Sequence, residues 1–235
     1  MRELPIQFQT DMARAVIALT KTESRRTRNL KEINKDPDAW KYKGFLTYSG
    51  RPEALFIKKA ERGTLAIPCP YGQPGDVLWV RETFNRDYPT KQFYFKASWE
   101  TLPEWLKEAA NEHGFGALEW KPSIHMPKAA ARIWLQVEEI KVERLMQITS
   151  EDAVKEGAVG FTERTYPDLI ATDMPTPKQE FIRLWQHING DGSFTQNPWV
   201  WVVKFKVLST TGKPRTLGYQ PDTNEFHFAN KIVKL

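Results

Sequence analysis

One cysteine and four histidines in 235 residues leave little room for several kinds of chemistry. Cys69 has no second cysteine with which to close an internal disulfide. His113, His125, His187 and His227 are scattered, and neither a His-Glu-x-x-His pattern nor paired Cys-x-x-Cys spacing is present, so a protein-bound metal is not expected. Neither a P-loop nor a Gly-x-Gly-x-x-Gly turn follows a strand-like segment, which removes support for ATP or dinucleotide binding. No cofactor is therefore expected. No apolar run approaches the roughly 20 residues of a membrane helix, and charges interrupt even the segment 199–208. The opening Met-Arg-Glu-Leu-Pro-Ile lacks the apolar core of a signal peptide. These absences lead to the expectation of a cytoplasmic protein that makes no use of a membrane. Internal repeats are missing too, which argues against a solenoid.

What is present suits a globular chain with an anionic partner. Hydrophobic residues make up 40% of the sequence, enough to bury a core. The length fits one elaborated domain. The formal charge is +5 and the isoelectric point about 9.2, a balance that favours polyanions because lysines and arginines that neutralise phosphates release condensed counterions. The same balance also describes an ordinary solvated surface. Its distribution is uneven: between residues 21 and 43 lie Lys21, Arg25, Arg26, Arg28, Lys31, Lys35, Lys41 and Lys43 against Glu23, Glu32, Asp36 and Asp38.

Residues 4–8 read as a brief strand. In 10–19, Met12, Ala15, Val16 and Leu19 fall at helical spacing behind a Thr10 or Asp11 cap. Residues 21–28 have no apolar face at either period and are expected to form an exposed turn or an edge segment. The mixed, breaker-rich stretch 29–63 looks like an insertion more than a core element. Turn residues around Pro70 and Pro74 lead into a strand at 76–80. Residues 92–97 alternate like a second strand, and 102–113 read as a helix ended by Gly114. A long strand is expected over 131–142, bent or bulged near Glu138 and Glu139. A capped helix over 150–156 ends at Gly157, and 178–188 form an amphipathic helix. Residues 199–205, rich in Trp and Val, are the strongest strand. The unequal, helix-bearing gaps do not suit a doubly wound sheet. The expected class is α+β: a small, mostly antiparallel β-barrel with short helices, spanning 1–208 with insertions at about 29–63, 84–120 and 158–192, and a C-terminal extension over 209–235.

Four segments stand out in order: Lys21-Thr22-Glu23-Ser24-Arg25-Arg26, Gly75-Asp76-Val77-Leu78-Trp79-Val80, Ile148-Thr149-Ser150-Glu151-Asp152-Ala153 with Glu156-Gly157, and Pro198-Trp199-Val200-Trp201. With the stretches Cys69-Pro70-Tyr71-Gly72 and Pro122-Ser123-Ile124-His125-Met126-Pro127, this order resembles the ASCH family, a branch of the PUA-like superfamily, and is most similar to its bacteriophage and prophage members. The resemblance covers 8–205 apart from the three insertions. It implies a compact barrel with a cleft where related domains hold RNA, modified bases or nucleotides. Some bacterial ASCH proteins are amidohydrolases that deacetylate acetylcytidine with a lysine, a hydroxyl residue three positions on and a distant glutamate. Lys21, Ser24 and Glu156 match those positions, with Ser24 standing where that enzyme has threonine. Other members are described as ribonucleases.

That triad is chemically coherent. A serine hydroxyl is a weak nucleophile until a base removes its proton. Lys21 serves as that base only if desolvation or neighbouring positive charge, such as Arg25 and Arg26, lets its ammonium deprotonate near neutral pH. Lys-x-x-Ser also arises by chance in solvated turns, and Glu156 also reads as an ordinary charge at a helix end. Serine keeps the hydroxyl but loses the methyl that restrains a threonine rotamer. Around the triad, Arg25, Arg26, Arg28, Trp79, Arg81, Glu82 and His125 are candidates for binding a base or nucleic acid. Trp79, Trp199 and Trp201 offer flat faces for stacking, although core packing is the commoner use of a strand tryptophan. Trp199 and Trp201 share a strand face and so are expected to have one fate. For Arg81 and Glu82 a surface ion pair is the commoner fate of such residues.

The expected function is binding of a nucleic acid or modified nucleobase in a basic cleft. The alternatives are a hydrolase using Lys21, Ser24 and Glu156, and a phage scaffold that binds a host protein.

Overall fold

The computed structural model describes residues 1–48, 51–59, 63–87, 91–111, 119–158 and 175–215. Its centre is a five-stranded sheet made of β1 (Glu3–Gln7), β2 (Glu23–Arg26), β6 (Val77–Arg81), β9 (Trp134–Arg144) and β10 (Trp199–Ser209), in the order β1-β6-β9-β10-β2. Only the β1–β6 pair is parallel. Pro5 is accommodated because β1 is an edge strand, where a missing N–H costs no second ladder. Between β2 and β6 the chain forms a three-stranded antiparallel sheet of β3 (Trp40–Tyr48), β4 (Arg51–Lys58) and β5 (Thr64–Pro68). A short hairpin of β7 (Phe84–Arg86) and β8 (Phe93–Phe95) follows. The helices are α1 (Thr10–Ile17), α2 (Glu104–Asn111), α3 (Ser150–Lys155) and α4 (Pro177–Asn189). Among the described residues no helix is long and apolar enough to cross a membrane.

The five-stranded sheet is curled. Strands lie about 4.8 Å apart, so in a flat sheet β1 and β2 would be separated by roughly 19 Å, beyond the reach of an arginine. Yet the Arg26 guanidinium on β2 donates to the Gln7 carbonyl on β1 at 2.8 Å. No backbone ladder joins these two edges among the described residues, so the sheet is curved but not closed.

Alternation along β10 sets the layers. Trp201, Val203 and Phe205 turn inward to a core that also holds Ile6, Phe8, Val16, Leu78, Val80, Leu135 and Ile140. Trp199 packs on the same core, where Phe56 meets it edge to face at 5.4 Å, and Phe45 stacks on Trp201 at 6.3 Å. Val200 and Val202 point the other way and bury Phe181 and Trp185 of α4 together with Leu145, Ile148 and Ala153. The ladder between β9 and β10 slips where Lys204 faces Glu139 and Phe205 faces Val137, leaving Glu138 as the extra residue of a bulge. That is where the sequence placed it.

Three expectations need correction. Residues 21–28 do include an edge strand, one of the two forms expected, but not an exposed one: Lys21, Glu23, Ser24 and Arg25 are buried, while Thr22 and Arg28 are exposed. The stretch 29–63 supplies core residues, because Leu30, Ile33, Phe45, Ala54 and Phe56 pack into the main cluster. The second expected strand is shorter than read, since Lys96 and Ala97 already belong to a 3-10 turn. The proposed Gly114 helix stop, residues 159–174 of the third insertion and 216–235 of the C-terminal extension lie outside the described residues, as do His113 and His227.

Candidate functional site

The site begins with the way α3 meets the segment before β2. Thr149 and Asp152 form a reciprocal capping box that fixes the start of α3. At its end the Thr22 N–H donates to the Lys155 carbonyl at 2.8 Å, and Lys21 and Glu156 form an isolated antiparallel bridge. Gly157 makes the approach possible. Its φ is +84°, and a Cβ there would sit 2.9 Å from the Cβ of Ala15, so neither the conformation nor the space suits another residue.

Lys21 and Glu156, 135 positions apart, are thereby joined. The Lys21 Nζ donates to Glu156 Oε2 at 2.7 Å and to the Glu156 carbonyl at 2.9 Å, with Phe8 beneath it at 5.6 Å. The other carboxylate oxygen, Oε1, accepts from the Arg25 backbone N–H at 2.6 Å and from its guanidinium at 3.3 Å. Lys21 is fully buried. Burial depresses its pKa, Glu156 pulls the other way, and Arg26 and Arg25 add to the depression. Desolvation and neighbouring positive charge therefore both act on Lys21, and its ion pair with Glu156 opposes them.

The two faces of β2 divide the remaining charges. On one face Arg25 is held by Glu23, Glu143, Asp152 and Glu156. Burial raises the pKa of Glu23, against the opposing pull of Arg25. On the other face the Arg26 Nε donates to Ser24 Oγ at 3.0 Å, while its ring-side contact is Phe8 at 5.2 Å. The hydrogen bonds of Lys21 and of Ser24 do not include one between them. Burial lowers the pKa of Arg26, with Tyr71 and Glu156 pulling upward.

A cavity of about 290 Å³ opens at the free edge of β2, where side chains of both its faces and Pro5 and Gln7 of β1 reach the lining. Ser24, Arg25, Arg26, Arg28, Arg81, Tyr71 and Glu156 line its polar side, and Phe181, Leu184, Trp185 and Ile188 of α4 form the opposite wall. The helix is presented firmly: Thr176 and Gln179 make a capping box, Pro177 opens the first turn, and Phe181 and Trp185 are anchored against β10. Among the described residues Arg26, Arg28 and Arg81 have no carboxylate within ion-pair distance, unlike Arg25. Arg81 is steered instead by the Met126 carbonyl at 3.1 Å, by the Ile124 carbonyl, and by the Trp79 ring at 5.4 Å. The Tyr71 hydroxyl has no hydrogen-bond partner among the described residues. Burial raises its pKa, opposed by Arg26 and Arg28.

Of the ten residues singled out in the sequence, Ser24, Arg25, Arg26, Arg28, Arg81 and Glu156 line the cavity, and Lys21 lies behind Glu156. Three do not line it. Trp79 is 8% exposed in a separate cluster with Phe84, Met126 and Trp134, with one face under Arg81, which leaves no ring surface for a base. Glu82 is fully buried and holds Arg132 through two bonds of 2.9 Å, a structural ion pair instead of a cleft residue or a surface pair. His125 is exposed in a 3-10 turn off the cavity. Trp199 and Trp201 share one fate, as expected, and it is the core.

The apolar wall was missed, because Phe181, Leu184, Trp185 and Ile188 read only as one face of an amphipathic helix. Tyr71 was noticed within a motif but not as a lining residue. No group of three His, Cys, Asp or Glu side chains suited to a metal occurs among the described residues.

No protein-family model, curated protein or solved structure matches this chain. The cavity's own chemistry must carry any functional reading.

Proposed function

We propose that the chain is an ASCH-type, PUA-like protein that binds a planar nucleobase of a nucleic acid or modified nucleoside in the cavity between β2 and α4. One observation carries this reading: three guanidinium groups, Arg26, Arg28 and Arg81, face an apolar wall with no ion-pair partner among the described residues, while Glu156 in the same lining is already held by Lys21 and Arg25. Cations left unpaired in a partly enclosed space favour an anionic or strongly dipolar ligand. The wall of Phe181, Leu184, Trp185 and Ile188 favours a flat apolar face on the same ligand. A nucleobase carrying phosphate combines the two. The volume lies near the lower bound of small-molecule sites, roughly 300 Å³, which suits one base and its sugar. Titration with short RNA and with modified nucleosides, followed by calorimetry at two salt concentrations, tests the reading. Saturable binding that weakens as salt rises supports it, and absence of binding rejects it.

A hydrolase reading is favoured by a separate observation: Ser24 and Glu156 both line the cavity, and Lys21 is buried against Glu156. In that chemistry the Ser24 oxygen attacks an acyl carbonyl and its proton passes to a neutral Lys21. The amine then departs with a proton and water releases the acid. Because Ser24 Oγ accepts from Arg26, the hydroxyl has to turn toward Lys21 first. Incubation with acetylcytidine separates the two readings: turnover lost in Lys21→Ala and Ser24→Ala variants supports the hydrolase, while binding without turnover leaves the first reading standing.

A further inference from the structure

A second recess of about 440 Å³ adjoins the cavity, and the two share Thr27, Trp185 and Asn189 as a common wall. Beyond that wall the recess is lined by Lys31, Lys35, Asn34, Ser193, Gln196 and Pro198. It is more open than the cavity, and its lining mixes polar side chains with Trp185 and Pro198. Its charges are unequal in availability. Lys35 pairs with Glu32 at 2.6 Å, and the Asn34 amide is occupied on both sides by the backbone of Trp199. Lys31 is exposed and has no carboxylate partner among the described residues.

From the polar end of the cavity to this recess, Arg26, Arg28 and Lys31 therefore follow one another along the chain leaving β2, none of them in an ion pair among the described residues. Trp185 stands at the junction, 7% exposed, with an indole nitrogen that has no hydrogen-bond partner. The Ser193 hydroxyl in the recess is likewise unpaired. A buried donor without a partner costs stability, and here both belong to residues that line the second recess.

From this continuity we infer that the recess is a second subsite, which holds the phosphate and sugar of the nucleotide next to the one in the cavity. The ligand is then a single-stranded oligonucleotide and not a free nucleoside. This rests on the proposed binding function and adds to it a direction, from Arg26 toward Lys31, and a length of at least two nucleotides. Lys31 neutralises the bridging phosphate, and Gln196 and Asn189 contact the sugar or base edge.

The test compares the four ribonucleoside 5′-monophosphates with the four RNA homohexamers, titrated into the whole protein by calorimetry, for wild type, Lys31→Ala and Gln196→Ala. Lys31 and Gln196 are both exposed, so the variants should fold; unchanged thermal unfolding checks this. The expected result is that at least one hexamer binds roughly tenfold or more tighter than its mononucleotide. Lys31→Ala should remove most of that advantage, lower the slope of log affinity against log salt by about 0.7, and leave mononucleotide affinity unchanged. Gln196→Ala should weaken the hexamer alone. Mononucleotides that bind as tightly as hexamers, or a Lys31→Ala variant that weakens both alike, overturn the second subsite while leaving the cavity reading intact. If neither ligand class binds, both fail.

Discussion

The ammonium of Lys21 and the carboxylate of Glu156 lie 2.7 Å apart with almost no exposure to water, although 135 positions separate them in the chain. Both ends are fixed by backbone: Lys21 and Glu156 pair as a bridge, and the Glu156 carboxylate also accepts from the Arg25 N–H. One contact thus ties the capped helix α3 to the edge strand that supplies Ser24 and Arg26 to the cavity.

Removing one member of such a pair leaves the other charge buried, which typically costs about 3–5 kcal/mol. Lys21→Met should therefore lower stability to urea by an amount of that order. Adding Glu156→Gln to the same chain should recover part of the loss, because an amide tolerates burial better than an unpaired carboxylate. A double variant no more stable than the single one would show that the pair is not what joins these elements.

Gly157→Ala should destabilise the protein by about 1–3 kcal/mol, since it imposes a strained φ and sets a methyl group against Ala15. Denaturant midpoints measure this. A neutral outcome would mean that α3 can withdraw from α1 without cost, contrary to the docking described.

The acid limb of stability should depend on Asp152. Burial pushes its carboxyl pKa upward, but the hydrogen bonds from Thr149 and the charge of Arg25 outweigh it and hold the group below its ordinary value of 3.8. The folded state then favours the ionised form, so the contribution is complete above that value and disappears as pH falls through the lowered one. Asp152→Asn should be less stable than wild type at pH 7, and the difference should shrink below about pH 4. An unchanged difference down to pH 2 would contradict the stated cause.

Binding variants should divide by place. Arg28→Ala should weaken oligonucleotide binding and flatten its salt dependence by about 0.7 per lost phosphate contact, with little change in stability because Arg28 is exposed. His125→Ala should leave binding untouched. Glu82→Gln should also spare the cavity but lower stability, because it disturbs the buried pair with Arg132. Equal losses of affinity in all three would argue against this location for the site.

Much of this was legible in the sequence, and the exceptions have physical reasons. Strands with continuous apolar character, such as β6 and β10, were read because burial on both faces leaves a run of Val, Trp and Leu. The bulge at Glu138 was visible because two charges interrupt that pattern. β2 could not be recognised as buried: it carries no apolar residue, and the burial of Arg25 at its centre is possible only because Glu156, Glu143 and Asp152 arrive from far along the chain to satisfy it. The sheet β3–β5 was hidden for a related reason. Its apolar residues, Phe45, Ala54 and Phe56, are widely spaced between lysines and breakers, and their partners Trp199 and Trp201 come about 150 residues later. The polar residues beside the cavity were better marked than its shape. Lys21, Ser24 and Glu156 were found by motif, whereas the α4 wall emerges only when the helix is set against β10.

The most direct test is photo-crosslinking with an RNA hexamer carrying 4-thiouridine, followed by peptide mapping. A base held between the arginines and α4 should give adducts at Trp185 or Tyr71, reduced in Arg28→Ala and competed by unlabelled hexamer. Adducts confined to surfaces away from the cavity, such as exposed Trp105 on α2, or a pattern indifferent to Arg28, would contradict the account.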